Sequence, residues 1–287
     1  MRNKVANFLL FFTLFSALAY SSEKDLFLLK IGICTNYSNG LIMEQNGYSY
    51  IEESVGRLLM PDKDEVEFKN MLEGLTRSPL PVKACNGFIP RDLKSVGTEP
   101  SHAEILKYVE TAFRRAEMVG VEIIVFGSGG SRSIPEGFSR EEALRQSVSL
   151  CKNMAPIAEK HNVVVVLEPL NKKECNFINS VAEGGEIVEK VSHPNFQLLA
   201  DIYHMKMDDE DPENIVKYGQ FIKHIHIAEK KERAVPGTNN EDFGPYFSAL
   251  KQINYQGMIS IEARWEDIER QAPTGIEAIK QQLKEIK

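Results

Sequence analysis

Eight short apolar or β-branched runs, separated by stretches long enough for a helix and its loops, most limit what this chain can fold into. They are Leu29–Thr35, Tyr48–Glu52, Val82–Asn86, Glu122–Gly127, Val163–Glu168, Gln197–Ile202, Lys223–Ala228 and Met258–Glu262. Strands covered on both faces read as near-continuous apolar segments of this length. The second run carries polar residues and is recognised mainly by its position. Alternation of such strands with helices makes a parallel α/β sheet, and eight repeats predict a single (β/α)8 TIM barrel. A doubly wound open sheet is the architectural alternative, and length alone also allows two smaller domains. No polar linker, low-complexity segment or shift of composition divides the chain.

The stretches between the runs carry helix signals. Ile105, Leu106, Val109, Ala112, Phe113 and Ala116 form one stripe, predicting a helix over Ala103–Val119 that stops at Gly120. Ser139 and Glu142 have capping-box spacing for a helix running to about His161, with Pro156 as a local defect or kink. Ser180 and Val181 lead into a helix up to Val191, Pro212 starts a short one, and Gly275–Lys287 closes the outer ring.

Four of the runs carry, at or next to their C-terminal end, a residue that can bind a metal: VVVVLE at Glu168, FQLLAD at Asp201, IKHIHI at His226 and MISIE at Glu262. In a β/α barrel the C-terminal strand ends gather around one point. A lone carboxylate there is explained as a turn residue, but several buried unpaired charges would be costly. A joint ligand role for Glu168, Asp201, His226 and Glu262 is the more economical reading. His224 points to the same face as His226, one layer deeper. Three carboxylates and an imidazole suit one divalent ion, Mn²⁺ by preference, with Mg²⁺, Co²⁺ or Zn²⁺ compatible. Such an ion polarises substrate oxygens, and carboxylates on opposite sides make proton movement reversible.

Polar residues near these ends are candidates for substrate binding. His204 follows Asp201 in DIYH; its alternative reading is a capped surface histidine beside the acidic DDEDPE run. Glu174 lies beyond EPLNKK and alternatively balances Lys172 or Lys173. Arg233 lies in the loop after His226, as a ligand for a sugar oxygen or as a solvated arginine. Arg132 ends the Gly127–Arg132 segment GSGGSR, which lacks the full phosphate-loop pattern but places Arg132 near the same mouth. Asn86, Phe88 and Trp265 are weaker pocket-shaping candidates, with packing as the default.

The first residues read as a targeting segment: Arg2 and Lys4, an apolar stretch from Val5 to Phe15, then Ala17-Leu18-Ala19. Cleavage after Ala19 would leave residues 20–287 as the barrel domain, exported, and periplasmic if the source is Gram-negative. An uncleaved anchor is the alternative, and no later stretch is apolar enough to span a membrane. The chain has 34 basic and 41 acidic residues, a net charge of −7 that becomes −9 without Arg2 and Lys4. With no dense basic run, nucleic acid is not an expected partner. Cys34, Cys85, Cys151 and Cys175 are scattered without a CxxC pair and are expected to be mostly free, buried thiols, a Cys34–Cys85 bridge being the alternative. Homo-oligomerisation stays open.

At EPLNKKE, DIYH, HIHIA and ISIE the chain resembles the xylose-isomerase-like barrel superfamily, and its ketose 3-epimerase branch most. The resemblance runs from Leu29 to the final helices. It implies metal ligation by Glu168, Asp201, His226 and Glu262, with Glu168 and Glu262 also the catalytic acid/base pair. It implies sugar contacts from Glu174, His204 and Arg233, although Arg233 stands one residue off the family pattern because its loop is one longer. The leader also departs from that branch, which is usually cytoplasmic. The resulting expectation is reversible C3 epimerisation of a ketose through an enediolate. Aldose–ketose or hydroxypyruvate-type isomerisation, keto-sugar dehydration and oxidised-glycoside cleavage are the enzymatic alternatives. An exported carbohydrate-binding barrel is the non-enzymatic one.

Overall fold

The computed structural model describes residues 29–286. The expected leader over residues 1–19 lies outside them. Eight strands form in chain order: β1 (Lys30–Cys34), β2 (Tyr50–Ser54), β3 (Val82–Asn86), β4 (Ile123–Phe126), β5 (Val164–Leu167), β6 (Phe196–Asp201), β7 (Ile222–Ile227) and β8 (Met258–Ile261). Each pairs in parallel with the next, and β8 pairs with β1 through Ile33 and Ile261, closing the expected barrel. The strand boundaries agree with the sequence expectation to within two residues. The largest offset is in β2, whose run was the weakest in apolar content.

The strand alternation sorts side chains into two cores. Ile33, Ile51, Cys85, Ile124, Val165, Leu198, Ile225 and Ile259 pack outward beneath the helices. Tyr50, Ala84, Ile123, Val125, Val166, Leu199 and Met258 fill the barrel interior. Gly32 on β1 makes room for Tyr50, whose ring atoms lie 2.2–2.5 Å from where a Cβ at Gly32 would stand. Continuing the inward register toward the C-terminal ends brings up Cys34, Glu52, Asn86, Gly127, Glu168, Asp201, His226 and Glu262. This polar tier stands directly on the apolar interior.

Helix His102–Val119 ends at Gly120, whose φ of 77° provides the left-handed cap. Ser139 accepts a hydrogen bond from the Glu142 amide at 3.3 Å and starts helix Arg140–Lys160, with Pro156 inside it. Glu142 turns its own carboxylate to Arg145 rather than back to Ser139, so half of the expected capping box forms. Ser180 caps helix Val181–Val191 as expected. The last helix runs Ile268–Glu285, starting seven residues before the expected Gly275 because Asp267 caps it and Pro273 is accommodated inside. All four cysteines are free, which excludes the Cys34–Cys85 bridge. No helix among the described residues is long and apolar enough to cross a membrane.

Candidate metal centre

Glu168, Asp201, His226 and Glu262 converge at the C-terminal face, each offering one ligand atom, all within 4.8 Å of one another. His226 is the hub: its Nδ1 lies 3.0 Å from Glu168 Oε1 and 3.2 Å from Glu262 Oε2. Glu168, Asp201 and His226 are buried, while the Glu262 side chain is 23% exposed and opens to the mouth.

Local structure aims each group. Asp201 ends β6 and caps the helix Ile202–Met207, its Oδ1 accepting from the amides of Tyr203 at 2.7 Å and His204 at 3.3 Å. That leaves Oδ2 for the cluster. Glu168 lies against the end of β4, where a Cβ on Gly127 would stand 2.1 Å from its Oε2. Glycine at 127 therefore lets this carboxylate come so close to β4. Glu262 Oε1 accepts from Asn86 Nδ2 at 3.0 Å, and its Oε2 is ion-paired with Arg233 Nη2.

The electrostatics separate the two glutamates. Burial raises the Glu168 pKa, helped by the charges of Glu262 and Asp201 and opposed by His226. Burial also works against ionisation of Glu262, but His226 and Arg233 outweigh it and hold that carboxyl at about 2. Burial disfavours charge on His226 too, yet Glu52, Glu262 and Glu168 raise its pKa well above the ordinary value. Three carboxylates around one imidazole, two of them buried, attract a cation, and Arg233 Nη2 already sits on Glu262 and 3.4 Å from Asp201 Oδ2. Their oxygen-rich donor set with one nitrogen fits a hard or borderline divalent ion. A second grouping, Cys34, Glu52 and His226, shares the histidine.

The expected substrate-binding residues fall in different places. His204 is buried rather than at the surface: its Nδ1 accepts from Asn171 Nδ2 at 2.8 Å, and its Nε2 lies 3.4 Å from Asp201 Oδ2. Glu174, 41% exposed at the rim, accepts from Asn171 Nδ2 at 3.0 Å and stands 3.9 Å from Arg233 Nη1. Arg233 lies over the Tyr203 ring at 4.6 Å, and its Nε donates to the Glu262 carbonyl at 3.0 Å. Its extra loop residue thus still leaves it on the centre.

Arg132 does not open onto the mouth. It is 1% exposed, donates from Nη1 to the Phe126 carbonyl at 3.2 Å and packs by Cys175 and Cys151. The Gly129–Arg132 helical turn brings it to the Phe126 carbonyl at the end of β4. Trp265 is half-buried against the outer core, the packing role taken as its default.

Two residues escaped the sequence reading. Glu52 on β2 is fully buried and accepts from Nε2 of both His226, at 2.9 Å, and His224, at 2.8 Å. Its two-residue offset from Tyr50 on the inward face was the available signal. Glu229, just past β7, accepts from the amides of Gly237 at 2.9 Å and Asn239 at 2.8 Å. It organises the loop carrying Arg233, which stands at φ 53°. No local pattern announces those backbone donors.

The closed barrel and its C-terminal carboxylate–imidazole cluster define a β/α-barrel protein with a candidate divalent-metal centre. The sequence matches the xylose isomerase-like TIM barrel family over residues 42–284, and the chain belongs to that family. It is 30% identical over 189 residues to a probable ketose 3-epimerase of Synechocystis sp., covering 63% of this chain and 64% of that protein. An L-ribulose 3-epimerase of Methylomonas sp. is 32% identical over 149 residues, 52% of this chain and 50% of the relative. These two alignments therefore span between half and just under two-thirds of the relatives' own length. Among solved structures, a D-psicose 3-epimerase with D-tagatose from Clostridium cellulolyticum superposes with a TM-score of 0.77 at 19% identity, covering 89% of this chain and 100% of that one. A 3-keto-D-glucoside 4-epimerase from Escherichia coli gives 0.70 at 21% identity, over 89% and 98%. At such identities the structural likeness speaks for the fold.

Proposed function

We propose that this protein is a divalent-metal-dependent sugar epimerase, acting by reversible C3 epimerisation of a free ketose. The carrying observation is the pair Glu168 and Glu262, at the ends of β5 and β8, which meet at one His226 nitrogen. Two carboxyl groups brought to one point from different strands are suited to acid and base work. A divalent ion held by Glu168, Asp201, His226 and Glu262, Mn²⁺ by preference, would supply polarisation of the C2 and C3 oxygens.

In one direction ionised Glu262 takes the C3 proton, giving an enediolate, and Glu168 delivers a proton to the opposite face. The roles exchange in the other direction. Glu174, His204 and Arg233 are assigned to the sugar hydroxyls, since all three stand at or just below the rim around the pair. The Synechocystis relative, a probable ketose 3-epimerase, and the Methylomonas relative, an L-ribulose 3-epimerase, support a ketose.

A second reading is isomerisation between C1 and C2, which the same pair serves. It is favoured by a mouse putative hydroxypyruvate isomerase that is 30% identical over 140 residues. Export is proposed from residues 1–19 alone, and the N-terminus of protein from its native cell is expected near Tyr20. A product beginning only at Met1 would overturn it.

The deciding experiment incubates Mn²⁺-loaded protein with ketoses, keto-inositols and oxidised glycosides in D₂O and follows products by NMR after removing the metal. Deuterium at C3 with inversion is the expected result, lost in E168Q and E262Q. Incorporation at C1 or C2 selects the isomerase. Loss of water or of a glycosidic bond without C3 inversion selects a lyase. Binding without any exchange selects a carbohydrate-binding barrel.

A further inference from the structure

Three hydrogen-bond donors converge on the fully buried carboxylate of Glu52. His226 Nε2 donates to Oε1 at 2.9 Å, while His224 Nε2 at 2.8 Å and Ser260 Oγ at 2.7 Å donate to Oε2. Tyr50 completes the chain by donating its hydroxyl to Ser260 Oγ at 2.8 Å. Both oxygens face donors, the arrangement an acceptor-only, ionised carboxylate requires.

We infer that Glu52 is a positioning residue for the metal centre: it holds the His226 proton on Nε2 and so leaves Nδ1, which stands between Glu168 and Glu262, as the nitrogen that binds the ion. The inference rests on the metal-centre reading and goes beyond it to a residue outside the ligand set. The geometry leaves little freedom. A neutral imidazole has one N–H and one lone pair, and the acceptor facing one nitrogen decides what the other presents. Here the nitrogen facing Glu52 must donate, so Nδ1, which faces the two glutamates, is the nitrogen left to give up its proton and present a lone pair to an ion. An imidazole whose second nitrogen is anchored on a carboxylate is held in orientation and made a stronger donor to a metal.

The relationship also explains the order of residues along β7. His224 and His226 share the inward face one layer apart, with ring centroids 5.1 Å apart. Both rings bond to the one carboxylate, His226 above and His224 below. Glu52 lies on β2, three strands from β7 around the barrel, so the contact spans the barrel interior. Cys34, grouped with Glu52 and His226, offers a competing assignment in which Glu52 itself binds a second ion.

The test compares wild type with Glu52→Ala and Glu52→Gln. Mn²⁺ affinity and stoichiometry are measured by electron paramagnetic resonance titration of metal-stripped protein. Ring ¹⁵N shifts of His226 are measured in the Zn²⁺-loaded, diamagnetic form. Wild type is expected to bind one ion, with the His226 proton on Nε2. E52A is expected to bind about 10- to 100-fold more weakly. E52Q, which keeps the shape and an acceptor oxygen, is expected to lose less and to retain the Nε2 proton.

A purely structural Glu52 would lower the melting temperature in both variants and leave Mn²⁺ affinity unchanged. That outcome, or a wild-type His226 with its proton on Nδ1, overturns the inference while the metal centre stands. Two ions in wild type, with one lost in E52A, would make Glu52 a ligand and also overturn it. If wild type binds no ion, the metal-centre reading itself falls, and this inference with it. If E52A does not fold, E52Q alone decides, since unchanged affinity together with an Nδ1 proton in it counts against the role.

Discussion

Asn86 and Glu262 meet across the barrel mouth, the Asn86 Nδ2 donating to Glu262 Oε1 at 3.0 Å. β2 and β1 stand between the strands that bring them together. Because His226 and Arg233 take the other oxygen, Oε2, both ends of the carboxylate are held and its plane is set. In the proposed epimerase, a base pre-oriented in this way would not have to reorient when it removes a proton.

Asn86→Ala is therefore expected to reduce turnover roughly 10-fold, the scale of one lost hydrogen bond to a charged group. KM should change less, because the bond orients the base rather than the substrate. Steady-state kinetics on the substrate found by the D₂O panel would check this. Wild-type kcat in a variant of wild-type melting temperature would remove Asn86 from the site.

The close approach of Glu168 to Gly127 makes a second prediction. A methyl group at 127 would occupy a position 2.1 Å from Glu168 Oε2. The barrel can survive by moving that side chain, but the carboxylate then leaves the cluster. Gly127→Ala is expected to weaken Mn²⁺ binding by at least about tenfold, on the scale of a misplaced ligand. Circular dichroism should show the fold retained. Unchanged affinity would mean that Glu168 does not bind the ion in this position.

The convergence of the four expected ligands was legible because each stands at or next to the end of an apolar run, and in a closed parallel barrel strand ends share one face. Glu52 was hidden for the opposite reason. It ends a run, Tyr48–Glu52, that polar residues dilute, and the strand itself continues to Ser54. Only the inward register shared with Tyr50 exposes it. The burial of Arg132 against the Phe126 carbonyl was not legible, because a glycine-rich segment leaves the backbone path open. Glu229 depends on amides from residues 237–239, a pairing set by the closed loop. The early start of the last helix was masked by Pro273, which normally argues against a helix interior.

Metal loading should stabilise the protein. An ion bound only by the folded state adds about 2.7 kcal/mol at a hundred times its dissociation constant, worth about 5–10 °C for a chain of this size. Stripping with a chelator should lower the melting temperature by that amount, and Mn²⁺ should restore it. Asp201→Asn should abolish most of this response, though its cap on helix Ile202–Met207 can persist through the amide oxygen. Equal response in wild type and D201N would place the ion elsewhere.

Away from the centre, Glu210 gives the fold a specific pH dependence. Burial raises its carboxyl from 4.5 to about 7, against hydrogen bonds from Asn214 and the amides of Val181 and Ala182, with the charge of Asp208 adding to the rise. The folded state therefore holds a proton at Glu210 that the unfolded chain releases at lower pH. Its contribution is fully present below about 4.5 and is lost as pH rises through about 7, the reverse of an ion-paired carboxylate. Glu210→Gln keeps the neutral shape and removes the titration. The stability of wild type relative to E210Q should fall between pH 4.5 and 7 by on the order of 2 kcal/mol, reduced by the partial solvent access of the site. Urea unfolding of both proteins across that range measures the difference directly, and other titrating groups common to the two cancel in it. Parallel stability curves would show that Glu210 ionises normally and that its cap on helix Val181–Val191 is made by the charged form.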